Sequence, residues 1–144
     1  SRPGTYSYKH SYYNGTYVEG NITNGKGLCK YPNGDVYEGE WKDSKHHGFG
    51  IYRFNNGDIY IGQWNEGKRD GTGIYYYKSN NDAYAGEWRD DKRCYNGTFF
   101  WYKSGNAYIG QWSDDKMSGF GTMYHRNSKC SRGRWANDKL VEKL

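Results

Sequence analysis

The sequence predicts an all-β protein, an elongated single-layer antiparallel sheet of consecutive β-hairpin repeats. Three observations predict it. Trp41, Trp64, Trp88, Trp112 and Trp135 are separated by 23, 24, 24 and 23 residues, a period that marks stacked supersecondary units. Around each tryptophan the residues alternate at period two, as strands do, and nothing repeats at 3.6. Hydrophobic residues are only 34% of the chain while aromatic residues are 19%, so rings holding a thin sheet, rather than a thick two-layer core, are what the composition supports.

Residues 37–59 serve as the reference unit. A first strand alternates Tyr37, Gly39 and Trp41 with Val36, Glu38 and Glu40, and a second alternates Gly48, Gly50, Tyr52 and Phe54 with Phe49, Ile51 and Arg53. A polar loop, Lys42 to His47, joins them, and Asn55-Asn56-Gly57-Asp58 supplies a turn of residues that tolerate positive φ. The same pattern sets units 13–36, 37–59, 60–83, 84–107 and 108–130, with partial units 4–12 and 131–138 and a tail or cap at 139–144. The opening partial unit predicts an array that continues beyond the chain. In the tail, Leu140, Val141 and Leu144 have the spacing of a short helical turn that would cap the sheet; a frayed end is the alternative.

Glycine weakens a strand interior, so its recurrence implies close approach by something large. The pairs Gly48/Gly50, Gly71/Gly73 and Gly119/Gly121 are therefore expected to lie beneath the tryptophans Trp41, Trp64, Trp88, Trp112 and Trp135, holding successive hairpins in register. Unit 84–107 departs from this: Tyr95-Asn96-Gly97 replaces Gly-x-Gly, and one extra residue follows Phe99-Phe100-Trp101-Tyr102 before the turn, predicting a bulge or a tolerated insertion. At about 4.8 Å per strand, six units make a strip on the order of 55 Å long whose ends are open strand edges, suited to a cap, further repeats or a dimer mate.

The sequence contains no catalytic constellation, cofactor motif or metal-ligand spacing. Glu40, Gln63, Glu87 and Gln111 share one repeat position and read as a polar ladder, and His46-His47 as a polar turn. Cys29, Cys94 and Cys130 have no pairing or metal spacing, predicting free thiols in a reducing, cytoplasmic setting. The net charge is +5, but acids alternate with the bases in the turns and the aromatic rows carry few cations, which disfavours nucleic acid. The sequons at Asn14, Asn21 and Asn96 are chance matches in an asparagine-rich chain.

The repeated phrases YEGEW, YIGQW, YAGEW and YIGQW, each followed by the glycine pair or its variant, resemble the MORN repeat, roughly YxGxWxxGKxxGxGxxxYxxG. The resemblance is strong over 37–130 and weaker over 4–36 and 131–138; Ser44, Asp91 and Asp115 stand where the family favours a turn glycine, Tyr95 where it favours a strand glycine, and Ser131 where it favours the leading tyrosine. It implies a twisted strip with a concave groove and a scaffolding role at membranes or on the cytoskeleton. The phrase at 73–88 is also similar to flagellar radial-spoke members, and MORN arrays accompany kinase and methyltransferase domains.

The expected function is accordingly a non-enzymatic scaffold that binds a segment of a partner protein, with Tyr37, Tyr52, Phe54, Tyr60, Tyr75, Tyr77, Tyr84, Phe99 and Tyr108 lining the groove. Exposed aromatic grooves receive peptides, and tyrosine is enriched at binding hot spots. The alternatives are a peripheral adaptor for anionic phosphoinositides and the regulatory region of a larger enzyme.

Overall fold

A computed structural model describes the backbone of residues 10–13, 16–19 and 23–144 and the side chains from residue 23 onward. The expectation placed on the partial unit 4–12 lies, apart from the backbone of residues 10–12, outside these residues. The strands are β1 (His10–Tyr13), β2 (Thr16–Glu19), β3 (Gly25–Lys30), β4 (Val36–Lys42), β5 (Lys45–Arg53), β6 (Ile59–Asn65) and β7 (Lys68–Tyr77). They continue with β8 (Asp82–Arg89), β9 (Lys92–Trp101), β10 (Asn106–Ser113), β11 (Lys116–Tyr124), β12 (Cys130–Ala136) and β13 (Lys139–Lys143). All belong to one 13-stranded open antiparallel sheet, in chain order from β13 back to β3, then β1 and β2.

The N-terminal edge departs from the simple meander. β1 pairs with β3 and β2 lies outside it, with Tyr13 opposite Thr16. In the sequence Tyr13 and Thr16 flank an Asn-Gly dipeptide, a strong signal for a two-residue hairpin.

The tail corrects an expectation: Lys139–Lys143 is a strand, and no helix occurs among the described residues. Asn137 and Asp138 have φ of 48° and 68°, so they form a two-residue hairpin turn that returns the chain antiparallel to β12. Leu140 then packs on the aromatic core, while Val141 and Leu144 remain exposed.

The polar loop expected between Lys42 and His47 is shorter than foreseen. It contracts to Asp43-Ser44, with φ of 50° and 65°, and β5 begins at Lys45. The pairs Glu66-Gly67, Asp90-Asp91 and Asp114-Asp115 also have positive φ at both residues. Asp91 and Asp115, standing where a turn glycine is favoured, use their carboxylates. Each accepts from the backbone N–H and Nε of an arginine one hairpin earlier: Arg69 at 2.8 and 3.1 Å, and Arg93 at 3.0 and 2.9 Å.

The bulge is a property of the repeat rather than of the unit containing Tyr95. A register shift falls just before the tryptophan of β4, β6, β8, β10 and β12. In four of these hairpins the polar ladder caps the irregularity: Glu40, Gln63, Glu87 and Gln111 accept from Phe49 N, Thr72 N, Asn96 N and Phe120 N at 2.9, 2.8, 3.1 and 2.7 Å. The extra residue after Trp101 is absorbed in a longer turn, closed by Gly105 N donating to Trp101 O.

At the bulge Gly48, Gly71 and Gly119 have φ of 65°, 103° and 100°, and Tyr95 occupies the same place at φ 56°. A bulky residue there is strained. Tyr95→Gly is expected to raise stability by about 1 kcal/mol, less the small loss of the contact of its ring with Arg89; the urea midpoint measures it.

Candidate functional site: an aromatic strip

The two sheet faces differ. One carries exposed Phe49, Ile61, Ile74, Ile109 and Phe120; the other carries almost all the buried rings. On the buried face one glycine per strand aligns in a row across the sheet, running Gly27, Gly39, Gly50, Gly62, Gly73, Gly86, Gly97, Gly110, Gly121 and Gly133. The ring seated on this trough is tyrosine. A Cβ on Gly50, Gly73 or Gly97 would fall 2.1 Å from the hydroxyl oxygen of Tyr37, Tyr60 or Tyr84.

This corrects the expectation that tryptophan lies over both glycines of each pair. The first glycine supplies the positive φ of the bulge, and the second receives the tyrosine. The tryptophan instead donates Nε1–H to the carbonyl of a row glycine: Trp41 to Gly27, Trp64 to Gly50, Trp88 to Gly73, Trp112 to Gly97 and Trp135 to Gly121, at 3.0 to 3.2 Å. Each buried tyrosine is then gripped edge-on by two indoles. Tyr60 lies 5.1 Å from Trp64 and 5.5 Å from Trp88, and Tyr108 lies 5.4 Å from Trp112 and 5.3 Å from Trp135.

His46, Arg69, Arg93, Met117 and Leu140 lie opposite the five tryptophans at equivalent register positions. His46 is therefore not part of a polar turn. Its ring stacks on Tyr37 at 3.8 Å, and its Nε2 lies 2.8 Å from the Tyr31 hydroxyl. The Arg69 and Arg93 guanidinium groups lie 4.7 and 4.9 Å over Trp88 and Trp112.

Burial divides the expected groove residues. Tyr37, Tyr60, Tyr84 and Tyr108 are 0% exposed, so they cannot touch a partner; the glycine trough has drawn them in as structure. Beside them runs a continuous zigzag of seven rings, Tyr31, Tyr52, Phe54, Tyr75, Tyr77, Phe99 and Trp101. Successive centroids are 6.1, 4.5, 5.6, 4.4, 5.8 and 4.6 Å apart. Tyr75 and Phe99 are buried, while Tyr31, Tyr52, Phe54, Tyr77 and Trp101 are only partly covered. Tyr31 and Trp101 were absent from the expected set, although their place at the strand end, equivalent to Phe54 and Tyr77, was legible in the repeat.

Aspartates at the unit-to-unit turns position this strip. Asp35 accepts from the Tyr52 hydroxyl and Asn55 N, each at 2.7 Å. Asp58 accepts from the Tyr75 hydroxyl and Lys78 N at 2.7 and 2.9 Å. Burial, assisted by the carboxylate each phenol bonds, raises Tyr52 and Tyr75 well above the usual phenol range, so both donate at any physiological pH. Asp58→Ala should leave two donors unpaired and cost about 1–3 kcal/mol, read as a lower urea midpoint.

Two surface cavities, of 710 and 230 Å³, lie among hairpin-turn residues and not on the strip. The larger is lined by Lys68, Arg89, Lys92, Cys94 and Tyr95 among others, the smaller by Lys42, Lys45, His47 and Glu66 among others. No cluster of metal-ligating side chains occurs among the described residues.

A single-layer repeat sheet carrying a strip of half-covered rings defines a module built to present an extended surface. The chain belongs to the MORN-repeat family, whose model matches residues 13–36, 37–59, 60–82, 84–105 and 108–129. Comparison with curated proteins finds no significant match. Among solved structures it is similar to the TCP domain of SAS-4 in complex with a proline-rich motif of Ana2, from Drosophila melanogaster, with 20% sequence identity and a TM-score of 0.51. That match covers 78% of this chain and 62% of the SAS-4 chain, and at this identity the likeness concerns the fold.

Proposed function

We propose that the chain is a non-enzymatic scaffold module that holds an extended segment of a partner protein along the strip from Tyr31 to Trp101, within a cytoskeletal or membrane-associated assembly of the cytoplasm. The observation that carries this reading is the unbroken row of rings at 4.4 to 6.1 Å, with its outer members partly open. Such a row binds apolar and proline-containing segments by stacking, at low entropic cost because the rings are already fixed. The SAS-4 TCP domain, similar in fold, is in complex with a proline-rich motif, which supports a protein-binding use of the fold.

Phosphoinositide binding draws on the net charge of +5. Yet several described cations are already committed: Arg69 to Asp91, Lys92 to Asp114, Arg93 to Asp115 and Arg134 to Glu142. The charge pattern therefore favours a protein ligand.

The test is selection of peptides from a random displayed library against the wild-type chain, followed by affinity measurement on Phe54→Ser, Tyr77→Ser. Both side chains are only partly buried, so the variant is expected to remain folded by circular dichroism. The reading requires binding at least about tenfold weaker on the variant, the loss of about one stacking contact. Equal affinity for both proteins would remove the strip from consideration.

A further inference from the structure

The ladder of aspartates beside the strip is interrupted once. Tyr52 and Tyr75, opposite Tyr37 and Tyr60 in the register, give their hydroxyls to Oδ2 of Asp35 and Asp58. Opposite Tyr84 the same position is Phe99, which has no hydroxyl. Asp82 is nonetheless buried as deeply as its counterpart, 8% exposed against 9% for Asp35. Its Oδ1 accepts from Tyr102 N at 2.9 Å, and its own N–H donates to Asn80 Oδ1 at 3.0 Å. Among the described residues no side chain donates to its second oxygen. A carboxylate more than nine-tenths buried thus has one acceptor left open on the ring-bearing face.

We infer that Asp82 is the point at which the strip takes a cationic side chain, a lysine or arginine of the bound segment; this rests on the strip reading above. The surroundings suit a cation rather than a neutral donor. Tyr77 is the direct cross-strand partner of Asp82, and Phe99 and Trp101, 4.6 Å apart, follow it in the zigzag. A carboxylate flanked by aromatic rings attracts ammonium and guanidinium groups through both charge and ring quadrupole. Arg93 lies 5.3 Å from the Phe99 centroid but is committed to Asp115 through Nε at 2.9 Å and a second hydrogen bond to the Asp115 carbonyl. The strip would therefore be apolar along most of its length, with one charged checkpoint that fixes the register of the bound segment.

Phe99→Tyr tests this with little risk to the fold, because it supplies the hydroxyl that Tyr52 and Tyr75 already give their aspartates. Asp82→Asn removes the charge while keeping an acceptor for Tyr102 N. The six strand spacings from Tyr31 to Trp101 span about 29 Å, or about ten residues of polyproline helix. The probes are fluorescein-labelled peptides of about that length, alternating proline and alanine, with lysine, arginine, glutamine or norleucine at the centre. The expected result is roughly tenfold tighter binding of the lysine or arginine peptide than of the neutral ones. That preference should vanish in Phe99→Tyr and in Asp82→Asn. Equal binding of all four peptides to the wild type, or a preference that survives in both variants, overturns the checkpoint and leaves the strip standing. Binding of none of them overturns both.

Discussion

Gly73→Ala is expected to destabilise the sheet by about 3 kcal/mol or more, a core overpacking with no relief. The added methyl would fall 2.1 Å from the Tyr60 hydroxyl oxygen and 2.4 Å from the ring carbon that bears it. The ring has nowhere to go. Tyr60 is fully buried, is held edge-on by Trp64 and Trp88, and donates its hydroxyl to Gln63 O at 2.9 Å. Gly67→Ala is the control. It meets nothing within 4 Å and has φ +81°, so it should cost only about 1 kcal/mol, through backbone strain alone. Combining Gly73→Ala with Tyr60→Leu should cost less than the sum of the two changes, because the clash disappears with the ring. Urea unfolding of the four variants and the wild type measures this. If Gly73→Ala is no more harmful than Gly67→Ala, the glycine row is not a seat for tyrosine.

Alkaline pH is expected to unfold the protein cooperatively. Burial raises the phenols of Tyr37, Tyr60 and Tyr84 far above their ordinary value of about 10, and that of Tyr108 to about 12. A phenol with a raised folded pKa keeps its proton after the unfolded chain has released it, so the folded state binds more protons in between. The stability such groups contribute is complete below about pH 10 and is lost as pH rises through the folded values. Tyr108 alone accounts for roughly 2 kcal/mol by pH 12. With several tyrosines acting together, the loss is comparable to the 5–15 kcal/mol that typically holds a small domain, and the sheet should melt between about pH 10 and 12. The tyrosinate absorbance of the buried phenols should appear in the same step as the loss of far-ultraviolet circular dichroism. Ionisation of all the tyrosines near pH 10 with the sheet intact would contradict the burial of the spine.

The repeat period and the strand alternation were legible because every unit repeats the same side-chain pattern, so fold class and hairpin order followed from Trp41 to Trp135 alone. The division of labour among the rings was not. Tyrosine and tryptophan two strands' width apart compete for the same glycine trough, and only the bulge before each tryptophan decides between them: it turns the first glycine into a positive-φ hinge and leaves the second for tyrosine. The groove was therefore read too broadly. Tyr37, Tyr60, Tyr84 and Tyr108 look like Tyr52 and Tyr77 in sequence and differ only in lying on the glycine row. The turn aspartates were missed as well, since Asp35, Asp58 and Asp82 read as ordinary turn residues until the register brings Tyr52 and Tyr75 onto the first two.

The C-terminal tail shows a different limit. Leu140, Val141 and Leu144 fit a helical turn by spacing, but a chain of five or six residues is too short for spacing to outweigh the turn before it. Asn137-Asp138 takes the same two-residue geometry as the earlier hairpins, and an open sheet edge beside it offers hydrogen bonds that an isolated helical turn lacks.

The measurement that bears most directly on the partner-binding reading is the set of intermolecular nuclear Overhauser effects between a library-selected peptide and the ring protons of the wild-type chain. Contacts to Tyr52, Phe54, Tyr77 and Trp101 are the predicted result. Contacts confined to Ile61, Ile74 and Ile109 on the opposite face would contradict it.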